Sequence, residues 1–157
     1  MITVSVIDRA EVPEVVEHVA RVLAEFGLEF GVGSETDEAV RNLPASYLDH
    51  GGAFWVAREV DGARRTLVGT CGVFPVAPET FELRKMYLAA AARGLGVGTR
   101  LLDEAIAWTK AHGGERMVLD TTDAMGAAIK FYERHGFVRD DTQIRGARCT
   151  RGYVRPL

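Results

Sequence analysis

Apolar residues recur at three- and four-residue steps over Val12, Val15, Val16, Val19, Val22, Leu23 and Phe26, the period of a helix with one buried face. Pro13 suits the first turn of that helix and Gly27 its end. Upstream, Ile2, Val4 and Val6 alternate, which predicts a first strand over Ile2–Ile7. From Leu28 to Asp49 the pattern weakens: Gly31–Ser34 reads as a mobile loop and Thr36–Leu43 as a short capped helix before Pro44. Three strands are then predicted in close order. Ala53–Val60 and Arg65–Phe74 flank Asp61-Gly62, a strong hairpin signal, and Phe81–Leu88 follows a turn containing Pro75 and Pro78.

A glycine-rich turn, Arg93-Gly94-Leu95-Gly96-Val97-Gly98, separates that strand from a helix predicted over Thr99 to about His112. Its inward stripe is Leu101, Leu102, Ala105, Ile106 and Trp108, and Gly113-Gly114 ends it. Met117-Val118-Leu119 reads as a short apolar strand. Ala124–His135 reads as a second helix with Met125, Ala128, Ile129 and Tyr132 facing inward, closed by Gly136. Two more strands are expected in Phe137–Val154 around a polar turn. No linker or repeat divides the chain. The expectation is one α/β domain over residues 1–157, with a mostly antiparallel front half and a β–α–β–α back half.

Composition narrows the function classes. The 157 residues can bury a real core, and 47% hydrophobic with 26% charged residues is ordinary for a soluble globular protein. A net charge of -3 argues against a nucleic-acid binder that works through a broad basic surface. Cys71 and Cys149 lie far apart, match no metal-ligand spacing and read as reduced structural thiols. His18, His50, His112 and His135 share no ligand spacing and read as surface or helix-end residues, and Ser34 and Ser46 lack a Gly-x-Ser-x-Gly context. Arg84 and Lys85 read as a solvated pair at the mouth of a site. With no leader and no apolar run near the ~20 residues of a membrane helix, a cytoplasmic protein is expected.

The glycine turn carries the first chemical signal. Backbone N–H groups left unpaired at a helix start, with the helix dipole behind them, can hold a pyrophosphate, and glycine lets the oxygens approach. A Walker loop needs Gly-Lys followed by Ser or Thr, whereas Gly98 is followed by Thr99 and Arg100. A dinucleotide fingerprint follows the first strand of a parallel sheet, whereas this turn comes after four strands, two of them a hairpin. On the residues alone, a plain strand-to-helix turn and a phosphate site remain equally open.

The wider segment Glu82–Phe137 resembles the GCN5-related N-acetyltransferase (GNAT) family. The family signature Gln/Arg-x-x-Gly-x-Gly/Ala is met by Arg93, Gly96 and Gly98. Tyr87-Leu88 matches the pair that commonly ends the preceding strand. The later signature, Ala-Ile-x-x-Tyr-Glu-x-x-Gly-Phe, is matched by Ala128-Ile129-Lys130-Phe131-Tyr132-Glu133-Arg134-His135-Gly136-Phe137. The resemblance implies an α/β (α+β mixed sheet) domain: a mostly antiparallel sheet of six to seven strands, a splayed parallel central pair (Phe81–Leu88 and Met117–Asp120) and about four helices. It implies acetyl-CoA as co-substrate and no metal. The pantetheine arm would lie along Met86, Tyr87 and Leu88, and the pyrophosphate on Arg93, Gly94, Leu95, Gly96, Val97, Gly98 and Thr99, with an amide near Met86 or Tyr87 polarising the thioester carbonyl. Met125 stands where many members carry an asparagine that contacts the cofactor arm.

Proton traffic supplies the catalytic candidates. A primary alkylamine has pKa near ~10.4, so reaching its free base near neutral pH costs about 4 kcal/mol. By resemblance Glu82, eleven residues before Arg93, is the candidate base, beside a reading in which it pairs with Arg84 or Lys85 and a water relay serves instead. By the same resemblance Tyr132 is the general acid that protonates the departing thiolate. The acceptor is expected to be a small-molecule amine held by Leu28–Glu35, Tyr47–His50 and the tail strands. Family members often form homodimers through those strands, and neither nucleic acid nor membrane is an expected partner. A non-catalytic acyl-CoA-binding sensor and an interaction domain remain the alternatives.

Overall fold

Ala53-Phe54-Trp55-Val56-Ala57 contains no polar residue because both faces of its strand are covered. Phe54 and Val56 point into one apolar cluster, and Ala53, Trp55 and Ala57 into another. The computed structural model describes residues 1–157. Its strands are β1 (Ile2–Val6), β2 (Ala53–Asp61), β3 (Arg64–Ala77), β4 (Thr80–Leu88), β5 (Arg116–Thr121), β6 (Val138–Arg139) and β7 (Arg151–Pro156). They form one sheet in the order β1-β2-β3-β4-β5-β7-β6, antiparallel throughout except between β4 and β5.

Helices cover both faces. On one side lie α1 (Val12–Glu25), α2 (Asp37–Arg41) and α3 (Ala45–Leu48), whose buried residues join Phe54 and Val56. On the other lie α4 (Val97–Ala111) and α5 (Gly126–Arg134), whose Leu101, Leu102, Ala105, Ile129 and Tyr132 join Trp55 and Ala57. The mixed sheet and its parallel central pair are as expected, with five α-helices in place of about four.

Local departures have local causes. The expected Thr36–Leu43 helix ends at Arg41, Thr36 makes no capping bond, and a second short helix starts after Pro44. The hairpin loop is Gly62-Ala63, one residue later than Asp61-Gly62, because Asp61 still pairs with Arg64. Pro75 lies within β3, opposite Phe81, rather than in a turn. It is tolerated because β2 pairing ends at Ala53–Val73, leaving that edge free. His18 is not a surface residue: it is 4% exposed on the inner face of α1, and its Nε2–H donates to the Tyr87 carbonyl at 2.9 Å. Burial pushes its imidazole down, which keeps it neutral. No helix is long and apolar enough to cross a membrane.

Candidate active site

The parallel pair that closes the middle of the sheet is short. β4 and β5 align only over Thr80–Glu82 against Arg116–Val118, and beyond Glu82 the β4 edge has no strand partner on that side. A cleft of about 710 Å³ occupies this gap. Glu82 to Tyr87 form one wall, Leu119 to Thr122 with Met125 and Tyr132 the other, and the loops 28–36 and 145–149 close the remaining side.

The β4 wall is not a regular strand. Gly72 pairs with Arg84 and Thr70 with Tyr87, so Lys85 and Met86 together oppose one residue of β3. This is a bulge, and Lys85 absorbs it with φ 54. The Thr70 hydroxyl donates to the Lys85 carbonyl at 2.8 Å and fixes the distortion from inside the core. Lys85 is therefore not a solvated surface charge: it is 7% exposed and its ammonium meets Asp37, which is fully buried. Asp37 also accepts from Arg148 at 3.0 and 3.2 Å and from the Gly31 N–H at 2.7 Å. Burial works against the Asp37 charge, but Lys85, Arg148 and Gly31 together outweigh it and hold the carboxyl below the usual range. Arg148 reaches the Val32 carbonyl at 3.2 Å too, so the loop read as mobile is tied across the cleft.

At the next turn, Gly96 is the N-cap of α4 with φ 82, and no side chain caps the helix. A Cβ at Gly94 or Gly96 would meet nothing within 4 Å, so the turn is open above its free amides, as a phosphate site requires. Gly98 answers to packing: a Cβ there would come within 3.2 Å of Phe131 and 3.3 Å of Leu88. Val97 is buried, whereas Leu95 is 69% exposed. Arg93 is engaged within the fold. Its guanidinium donates to the Leu88 carbonyl at 3.0 Å and pairs with Glu25 at 2.8 Å, bracing the turn against the end of α1.

The two proton-transfer candidates share the cleft. Tyr132 is 7% exposed and burial pushes its hydroxyl well above the ordinary tyrosine range. The Tyr87 phenol, also at the cleft, is pushed up to about 12 by burial, with Arg148 opposing. Glu82 is 3% exposed, pairs with Arg84 through Oε1 and meets Arg145 at 3.4 Å through Oε2. The sequence predicts a surface pairing with Arg84 or Lys85; the structure pairs Glu82 with Arg84, buries it, and adds a second arginine from the tail. Met125 is the N-cap of α5 rather than a residue inside it, and its sulfur receives the Thr121 hydroxyl at 3.9 Å. Cys149 lines the cleft, but burial and then the Asp120 carboxylate push its thiol up to about 12, leaving it protonated and unreactive.

Of the segments expected to hold an acceptor, Leu28–Glu35 reaches the cleft, whereas the tail strands β6 and β7 do not line it and the tail enters only through the loop 145–149 before β7. Tyr47 does not: it is fully buried in the core between Phe54 and Phe74. Sequence reasoning missed Asp37, Arg145 and Arg148. Nothing in their spacing marks them, since each acquires its role from a partner far away in the chain.

Comparison with known proteins agrees with this geometry. The model described as the acetyltransferase (GNAT) family matches residues 19–137, well over half the chain. The Escherichia coli protein named "Uncharacterized N-acetyltransferase YjgM" is 32% identical over 133 residues, covering 82% of this chain and 77% of that protein. A GNAT-family acetyltransferase structure from Staphylococcus aureus Mu50 superposes with a TM-score of 0.89 at 26% identity, over 100% of this chain and 99% of that one. The PaiA N-acetyltransferase of Thermoplasma acidophilum, solved in complex with coenzyme A, shares the fold with a TM-score of 0.77 at 21% identity, over 100% and 99% of the two chains. With the splayed strand pair, the open glycine turn and the cleft tyrosine on the same scaffold, this chain belongs to the GNAT acetyltransferase family and is an N-acetyltransferase.

Proposed function

We propose that the protein moves an acetyl group from acetyl-CoA to the amine of a small molecule, directly and within one ternary complex. The observation that carries this reading is continuity: the unpaired β4 edge past Glu82 leads into the uncapped start of α4. Such an edge can receive an extended pantetheine arm as it would a strand. The amides of Leu95 to Thr99 suit a pyrophosphate.

Acetyl-CoA supplies the acetyl group activated as a thioester. A backbone amide near Met86 or Tyr87 donates to the carbonyl oxygen as negative charge develops there. Glu82 accepts the proton that leaves the amine, directly or through water, and Tyr132 gives its proton to the sulfur. One C–N bond forms and one C–S bond breaks. The amine enters as its free base, having lost its ammonium proton to solvent. Glu82 takes the second proton, and proton exchange with water afterwards restores Glu82 and Tyr132. A cleft of about 710 Å³, closed over by two loops, is in the size range of small-molecule sites. This supports a small acceptor over a protein chain.

Calorimetric titration of the CoA-stripped protein with acetyl-CoA tests the reading. Micromolar binding is expected for the wild type. Gly96→Glu, which sets a carboxylate and a strained φ of 82 at the phosphate turn, should lose it while retaining a cooperative thermal transition. Unchanged affinity in the variant would remove the turn assignment, and no binding by the wild type would remove the donor.

A further inference from the structure

The acceptor end of the cleft has more hydrogen-bond donors than free acceptors. Asp37 is spent on Lys85, Arg148 and Gly31, and the Oδ2 of Asp120 on the amides of Arg145 and Gly146 at 2.7 and 2.8 Å. Glu82 gives one oxygen to Arg84, whose guanidinium lies 4.2 Å over the Phe74 ring, and the other to Arg145. Glu35 also lines the cleft but is exposed on the loop. Arg145 is the opposite case. Its side chain is 39% exposed, and Nη1 is shared among the Gln143 carbonyl at 3.2 Å, Gln143 Oε1 at 3.4 Å and Glu82 at 3.4 Å. All three contacts are long, and its Nε and Nη2 donate to nothing in the protein.

We propose that the acceptor amine carries its own oxyanion, a carboxylate or a phosphonate, and that the fork of Arg145 receives it. The proposal rests on the N-acetyltransferase reading for the amine, but not for the anion. A cationic amine alone approaches Glu82 past two guanidiniums, with only the exposed Glu35 and the Oδ1 of Asp120 left without a hydrogen-bond donor to offset them. An amine with an anion at its other end finds a planar pair of donors suited to bidentate contact. The exchange also serves the amine. As Arg145 turns to the anion, Oε2 of Glu82 loses its weaker partner and can accept from the amine N–H, while Arg84 keeps Oε1 and the carboxylate's orientation. Arg145 thus selects the acceptor and positions it against Glu82, and polyamines are disfavoured by the same arrangement.

Two measurements test this. In the first, thiol release from acetyl-CoA is followed with L-amino acids against their amides and against spermidine. The acids should be preferred by about tenfold or more in kcat/KM, the scale of a charge-assisted pair. That preference runs against intrinsic reactivity, because the amide's amine is the less basic and carries more free base at neutral pH. Arg145→Gln should erase the preference, chiefly through KM, and Arg145→Lys should restore part of it. Amides or spermidine turned over faster than the acids, or an unchanged preference in Arg145→Gln, would overturn the proposal.

In the second, the Arg145 Nε resonance of the CoA-loaded protein, assigned with Arg145→Lys, is titrated with methylphosphonate. A saturable shift larger than that of Arg21, whose side chain is 67% exposed, supports the anion site even if no amine in the panel is acetylated. A shift no larger than that of Arg21 overturns it, whatever the turnover. Failure of acetyl-CoA to bind would count against the N-acetyltransferase reading alone.

Discussion

In the proposed mechanism Tyr132 donates a proton to the departing thiolate, a role that requires it to hold that proton until the bond breaks, and burial favours this. Its hydroxyl is held above the usual tyrosine range and stays protonated throughout the physiological range. The same desolvation raises the basicity of a thiolate formed beside it, so donor and acceptor shift together rather than apart. The ring itself is held by packing. Phe131 and Phe137 each lie with centroids 5.7 Å from it in edge-to-face geometry, contacts between rings that a phenylalanine would keep. Tyr132→Phe should therefore fold normally and bind acetyl-CoA with little change. Its kcat should fall by about a hundredfold, the scale of general-acid catalysis. Steady-state thiol release alongside calorimetry checks this, and an unchanged kcat would give the protonation to water.

At the scale of elements, the β4 bulge is the feature on which the site turns, and Thr70 is its internal support. Thr70→Val keeps the shape but leaves the buried Lys85 carbonyl without its donor. The expected cost is about 1–3 kcal/mol of stability, read by urea denaturation, with a loss of kcat if, as proposed, an amide near Met86 or Tyr87 polarises the thioester. A variant with full stability would mean that the bulge is held by pairing alone. No hydrophobic pattern announces this bulge. The apolar period over Val12–Phe26 and the unbroken run in β2 could be read directly, because each reports burial against a sheet that any partner sequence would supply. The turn and the Ala128–Phe137 motif were legible for a similar reason, since their geometry is local. Lys85 was not: its φ of 54 is imposed by the register of β3, and its charge is buried by a residue 48 positions upstream. Glu82 was found as a candidate, but its second arginine comes from the tail loop, 63 residues on. Met125 was placed inside a helix because its spacing fits, whereas α5 starts one residue later. Side-chain roles set by long-range pairing leave no period to read.

At the scale of the whole molecule, Asp37 joins three distant parts of the chain: α2 in the front third, the β4 bulge through Lys85, and the tail loop through Arg148. Removing one member of such a buried set leaves the others uncompensated, which typically costs about 3–5 kcal/mol. Asp37→Asn keeps the volume and removes the charge, so it should lower Tm and loosen both loops that close the cleft. The pH dependence follows from the sign of the Asp37 shift. Its carboxyl is depressed in the folded state relative to about 3.9 in an unfolded chain. The stabilisation is therefore complete above that value and is lost as the pH falls through the folded one. The Tm gap between wild type and Asp37→Asn should be constant above pH 5 and narrow as the pH is taken from 4 towards 3. Thermal unfolding of both proteins across that range decides it. A gap that stays constant down to pH 3 would show that the Asp37 charge does not hold the two loops to the sheet, and that neutral packing closes the cleft instead.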